Sequence, residues 1–222
     1  ERQLVNQRER WRRTCGIPAT YMRESFATWQ RGRPGNVDKM RDICEAYADE
    51  FPLSAPQSFR SLVLTSPRIW GLGKSHLACS IGHRILDRWK GQPGFCPVLF
   101  MSEPNLFARL RATFNRPVYG GGGEGSRQET EESIMKQLTW VPLLIIDDIG
   151  KEDVENPKFV QRTLFRIIDG RYNNNKLPVV LTANLSVEEF KQHLGGDNEA
   201  AVDRLFESCG GVFRVVTGKS FR

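Results

Sequence analysis

Only three histidines occur in this chain of 222 residues, His76, His83 and His193, and none stands at metal-ligand spacing. The five cysteines, Cys15, Cys44, Cys79, Cys96 and Cys209, are odd in number, scattered, and form no C-x-x-C pair. Those absences argue against a zinc site or a redox dithiol, and reduced thiols in a cytoplasmic protein are expected. No apolar run approaches the roughly 20 residues that a membrane-spanning helix needs. The opening "ERQLVNQRERWRRT" has no apolar core of the kind that makes a secretion signal. The first residue is Glu1 rather than methionine, which leaves room for residues upstream. No internal repeat is visible.

What is present is a globular composition, 39% hydrophobic and 26% charged, with a net charge of +6. The length suits one domain plus an extension, and we divide the chain into an N-terminal helical extension, 1–55, and a main domain, 56–222. A pI near 9.2 is compatible with a polyanionic partner. Two groups of arginines add to that reading: Arg8, Arg10, Arg12 and Arg13 beside Trp11, and Arg109, Arg111 and Arg116 further on. Solvated helix faces are the default explanation for both groups.

A polar helix is expected over residues 1–14, then a turn at Gly16-Ile17-Pro18 and a loop at 29–36. Asn36 is placed to cap a helix reaching Glu50, in which Val37, Met40, Ile43, Cys44 and Tyr47 recur at helical spacing. From residue 60 the pattern changes to short apolar runs: 61–65, 97–101, 142–146, 178–182 and 211–216. Runs of this kind suit strands buried on both faces of a parallel sheet. Helices fit between them at 74–89, 103–114, 128–138 and 157–173, with a short one at 187–194; Ser102 and Ser186 are placed to cap the second and the last. Strands alternating with crossover helices predict a doubly wound α/β domain with a five-stranded parallel sheet. The segment 115–128 reads as a glycine-rich loop.

The stretch "SPRIWGLGKSHLA" sits between the first strand and the first crossover helix. Its core, Gly71-Leu72-Gly73-Lys74-Ser75, has the residues that a phosphate-binding loop requires. Glycines let backbone N–H groups converge on phosphate oxygens, and the helix N-terminus adds its dipole. Lys74 would reach the β and γ phosphates of ATP, and the Ser75 hydroxyl would ligate Mg²⁺. Gly71, Gly73, Lys74, Ser75 and the adjoining His76 form the expected nucleotide-contacting set. The start of the motif is irregular. Either Arg68 replaces the first glycine, or Ser66-Pro67 takes the place of a Gly-Pro turn with Arg68-Ile69 inserted; the second fits the way Thr65-Ser66-Pro67 leaves the strand. Further on, "PLLIIDDIG" ends a buried strand in two carboxylates. Asp147 would hold Mg²⁺ through water and Asp148 would orient or deprotonate an attacking water. Asn184, at the end of the next strand, is placed to hold the same water.

Together, "GLGKSHLACSIG", "LLIIDDIGKE", "IIDGRYNNNKLPVVLTANLS" and "VTGKSFR" resemble the DnaC/IstB-like AAA+ ATPases, a group that includes bacterial and phage helicase loaders. The resemblance runs from about residue 15 to the last residue. It implies an AAA+ P-loop NTPase domain with a minimal C-terminal lid. It makes Lys74 and Ser75 the Walker A pair, Asp147 and Asp148 the Walker B pair, and Asn184 the first sensor. It further implies that Arg204, in "AAVDRLFE", acts as an arginine finger toward a neighbouring subunit, and that Arg222 contacts nucleotide in the same subunit. Single-stranded DNA would then be held by basic residues after the second strand, here Arg109, Arg111 and Arg116. The function implied is an ATP-hydrolysing loader of a DnaB-like replicative helicase, acting as an ATP-dependent oligomer with no membrane partner. An IstB-type transposition helper and a nucleotide-controlled adaptor with little hydrolysis are the alternatives.

Overall fold

The computed structural model describes residues 2–91, 94–114, 129–151, 156–196 and 199–221. Five parallel strands, β1 (Leu62–Thr65), β2 (Val98–Ser102), β3 (Leu143–Ile149), β4 (Val179–Ala183) and β5 (Arg214–Val215), form one sheet in the order β2-β3-β4-β1-β5. Alternation along each strand builds two cores. Leu62, Leu64, Val98, Phe100, Leu143, Ile145 and Val180 point to one face. Val63, Leu99, Met101, Leu144, Ile146, Val179 and Leu181 point to the other. Burying each such side chain contributes on the order of 2 kcal/mol, so both faces need a helical cover.

The first face is covered by α1 (Arg2–Thr14), α2 (Val37–Glu50) and α3 (Lys74–Arg88), through Trp11, Met40, Cys44, Tyr47, Leu77, Ile81 and Ile85. The second is covered by α4 (Glu103–Phe114), α5 (Glu131–Trp140), α6 (Pro157–Asp169), α7 (Val187–Gly195) and α8 (Ala200–Ser208). Between α1 and α2 the chain passes the edge strand β2, where the Phe100 N–H donates to the Cys15 carbonyl at 2.6 Å. Gly16 is required there, because a Cβ would lie 2.1 Å from the Phe100 carbonyl oxygen and φ is +87°.

Several boundaries differ from the sequence reading. Helix α5 starts at Glu131 rather than 128, because Thr130 and Ser133 close a reciprocal cap across its first turn. Helix α6 ends at Asp169 and opens into a single π-helical turn, Gly170–Asn175. Strand β3 runs on past 146 to Ile149, with a bulge between Ile146 and Ile149 that contains both acids. Strand β5 keeps only two residues, because Gly210 and Gly211 turn the chain at positive φ. Ser186 caps α7 as expected, whereas Asn36 does not cap α2 with its side chain. Its amide instead donates to the Val215 carbonyl and accepts from the Thr217 N–H, at 2.8 and 2.7 Å, tying α2 to the tail after β5. Arg116, Arg222 and the 115–128 segment lie outside the described residues.

Candidate active site

The C-terminal ends of β1, β3 and β4 lie side by side, where a parallel sheet presents its loops to a ligand. After β1 the chain stays with β4 for two further bonds, Ser66 N–H to the Ala183 carbonyl and Arg68 N–H to the Asn184 carbonyl, both 3.2 Å. Arg68 has φ +51°, a left-handed backbone that side-chain-bearing residues seldom adopt, and its side chain pairs with Glu189 at 2.6 Å. The irregular start therefore carries the glycine-like conformation at Arg68. Gly73 has φ +84°, and a Cβ there would lie 2.5 Å from the Trp29 ring. Lys74 then opens α3.

Lys74 is 5% exposed, and its Nζ donates to Ser66 Oγ at 2.6 Å, Asn184 Oδ1 at 2.8 Å and the Ile69 carbonyl at 3.4 Å. Burial pulls its pKa down to about 8, opposed by the charges of Asp148 and Asp147. Beside it, Ser75 Oγ donates to Asp147 Oδ1 at 3.0 Å, and Thr182 hydrogen-bonds the same carboxylate oxygen. Burial raises the Asp147 pKa; the Thr182 and Ser75 hydrogen bonds act against it. Asp148 has φ +61°, an uncommon backbone for a side-chain-bearing residue, held by its N–H donating to Thr182 Oγ1 at 3.1 Å. Its carboxylate takes Asn184 Nδ2 at 3.3 Å and Lys151 Nζ at 2.6 Å. Lys74, Asn184 and Asp148 are thus one chain of hydrogen bonds, with Ser75 and Asp147 alongside.

These residues line a cleft of about 400 Å³, together with Tyr21, Arg33, Trp70, His76 and Phe221. A hydroxyl and a carboxylate, Ser75 and Asp147, suit Mg²⁺, which keeps several waters and takes few protein oxygens. A larger groove of about 670 Å³ between α6 and α7 has Glu188, Glu189 and His193 in its lining and no lysine or arginine, so it is the poorer match to a polyphosphate.

His76 lines the cleft but faces the N-terminal segment: Nε2 donates to the Ser25 carbonyl at 2.9 Å, and Nδ1 lies 3.2 Å from Glu24. Arg204 stands away from the cleft, 2.6 Å from Asp169 in a charge contact rather than an aligned hydrogen bond, with its guanidinium over Phe165. Arg109 is held by Glu129 and by Gln137, the latter at 2.6 Å, while Arg111 is exposed at the end of α4. Of the two phenylalanines of that helix, Phe107 is core and Phe114 is exposed. Sequence reasoning missed Thr182, Lys151, Arg33 and Phe221. A threonine two positions before Asn184, in an otherwise apolar strand, was a usable signal for the first; Lys151 directly follows the paired-acid motif.

A parallel sheet in this order, with a phosphate loop after β1 and paired acids on β3, defines the AAA+ P-loop fold. The solved structure of the DnaC helicase loader superposes with a TM-score of 0.64 at 22% identity, covering 90% of this chain and 100% of that one. Residues 53–222 match the IstB-like ATP binding protein family, and the chain belongs to it. The replicative helicase loader DnaC of Buchnera aphidicola (subspecies Acyrthosiphon pisum) is 26% identical over 190 residues, which are 86% of this chain and 66% of that protein. An insertion sequence ATP-binding protein of Sinorhizobium fredii, y4pL, is 29% identical over 143 residues, 63% of this chain and 49% of its own length. Among the described residues, no helix is long and apolar enough to cross a membrane, and no three His, Cys, Asp or Glu side chains gather as a metal cluster.

Proposed function

We propose that this chain hydrolyses ATP as one subunit of an oligomer that places a replicative helicase on single-stranded DNA. The observation that carries the reading is the hydrogen-bond chain Lys74–Asn184–Asp148 beside the Ser75–Asp147 pair, in one cleft of about 400 Å³. Lys74 exchanges its Ser66 and Asn184 acceptors for phosphate oxygens. Ser75 and Asp147 are the residues that would hold Mg²⁺, and the ion would supply charge neutralisation at the phosphates. Asp148 and Asn184 orient the attacking water, and Asp148 accepts its proton. Residues 56–222 are the ATPase domain in this reading, and 1–55 are its helical extension.

Arg204 of one copy completes the site of its neighbour, with Arg222 contacting nucleotide in its own subunit. Recruitment breaks only a half-exposed pair with Asp169, a cost of about 0–1 kcal/mol. Single-stranded DNA lies along the end of α4, contacting Arg111, Arg116 and Arg109, with weak and salt-sensitive affinity. Similarity to DnaC loaders supports the helicase as partner.

The test is Lys74→Ala. Binding of a non-hydrolysable ATP analogue should fall on the order of 100-fold, with loss of ATP turnover and of helicase loading onto a single-stranded circle. Unchanged nucleotide uptake would end the reading. The similarity to y4pL favours a second function, assistance to a transposase. ATP-dependent stimulation of a transposase–DNA complex, without helicase loading, would select it. ATP-driven assembly without turnover, with or without single-stranded DNA, would mark an adaptor.

A further inference from the structure

We infer that Arg33 is a second cationic contact to the nucleotide's phosphates, supplied by the loop that precedes α2. The inference rests on the ATP reading above and adds a residue outside the P-loop and the paired-acid strand. Arg33 lines the same cleft as Lys74 and Ser75. Among the described residues no carboxylate pairs with it, and its side-chain hydrogen bond is to Gln30 Oε1 at 3.3 Å. Its neighbours Arg31 and Arg41 do have carboxylate partners, Asp42 for the first and Asp42 and Glu45 for the second. Arg33 therefore has no ion-pair partner among the described residues, although Asp38 accepts its backbone N–H, and it lines the cleft that holds Lys74 and Ser75.

The guanidinium is positioned by rings. Its carbon lies 3.8 Å from the centroid of Phe221 and 4.9 Å from that of Trp29. Cation–ring contacts use the face of the guanidinium and leave its N–H edge to bond oxygen atoms, the geometry that suits a phosphate. The loop is fixed at both ends. Asp38 accepts from Trp29 Nε1 at 2.8 Å and from the Gly32 N–H at 2.7 Å. The Asn36 N–H donates to the Thr217 carbonyl at 3.0 Å, and Gly35 bridges Gly218. The tail in turn reaches the phosphate loop, with the Phe221 N–H donating to the Gly71 carbonyl at 3.3 Å. Little ordering of Arg33 is left for ligand binding to impose.

The test uses the whole chain and its Arg33→Ala, Arg33→Gln, Arg33→Lys and Lys74→Ala variants. Displacement of a fluorescent ATP analogue is followed with ATP and with inorganic tripolyphosphate. Arg33→Ala and Arg33→Gln should weaken both competitors by about tenfold and flatten the dependence of affinity on salt, and Arg33→Lys should recover part of the loss. Thermal unfolding without ligand shows whether the alanine variant is folded; where it is not, the glutamine variant decides. Affinity equal to the parent for both competitors in a folded neutral variant, while Lys74→Ala loses binding, overturns the inference and leaves the ATP reading standing. Loss confined to ATP, with tripolyphosphate unaffected, also overturns it by moving the contact to the nucleoside. Retained binding in Lys74→Ala removes the ATP reading and this inference with it.

Discussion

Two buried cations sit at opposite ends of the same sheet and are held in different ways. Arg171, in the π-helical turn, is 1% exposed and donates to four carbonyls, Leu138 at 2.7 Å, Val141 at 3.0 Å, Pro142 at 3.3 Å and Pro178. Those acceptors are backbone at the end of α5 and at the entries to β3 and β4, and among the described residues no carboxylate pairs with the guanidinium. Lys74, at the other end, is held mainly by side-chain oxygens of Ser66 and Asn184. Burial lowers both pKa values, to about 9 for Arg171 and about 8 for Lys74. The planar fork of Arg171 matches a fixed set of acceptors, whereas the lysine is a point charge on a flexible stem. One cation is locked by backbone acceptors; the other is held by side chains that can rotate away.

The comparison makes opposite predictions for the same replacement. Arg171→Met leaves four buried carbonyls without their donor and should cost about 4 kcal/mol in urea unfolding at pH 7. A loss below about 1 kcal/mol would break the contrast. Lys74→Met should act the other way in the absence of nucleotide. Its folded pKa, about 8, lies below the ordinary 10.5, so the unfolded chain binds more protons between those values and stability rises with pH across that window. The full penalty of the buried ammonium is therefore present below pH 8 and is relieved toward pH 10.5. Removing the charge should stabilise by about 2 kcal/mol at pH 7, and the gain should fade by about pH 10. Stability curves of parent and variant at the two pH values check the sign. The smallest effect is expected of Asn36→Ala, which removes two hydrogen bonds between α2 and the tail. A loss of about 1 kcal/mol should accompany modestly weaker ATP binding, because that tail reaches Gly71.

The strands could be read in the sequence because each is an apolar run bounded by polar residues or proline, and β1, β2 and β4 start within a residue of expectation. Helix ends were harder. The apolar period of α6 runs on through Ile167 and Ile168 up to Gly170, so the widening to a π turn there leaves no mark on it. The cap of α5 is a serine pairing with a threonine, where glutamate or glutamine is the usual signal. Asn36 looked like a cap because local spacing cannot show that a tail strand competes for its amide. At the site, Lys74, Ser75, Asp147, Asp148 and Asn184 were visible because strand ends and a glycine turn announce them. Arg33 and Phe221 were invisible, since their meeting depends on the two ends of the chain closing over one loop. The left-handed backbone of Asp148 was likewise hidden, being a product of the bulge.

The indole of Trp29 fills the space that a Gly73 side chain would occupy, and its edge meets the His76 ring at 5.2 Å. That indole is anchored in turn to Asp38 at the start of α2. The stretch between α1 and α2 is therefore packed against the turn that opens α3, and any side chain introduced at position 73 must push the tryptophan aside and strain its bond to Asp38.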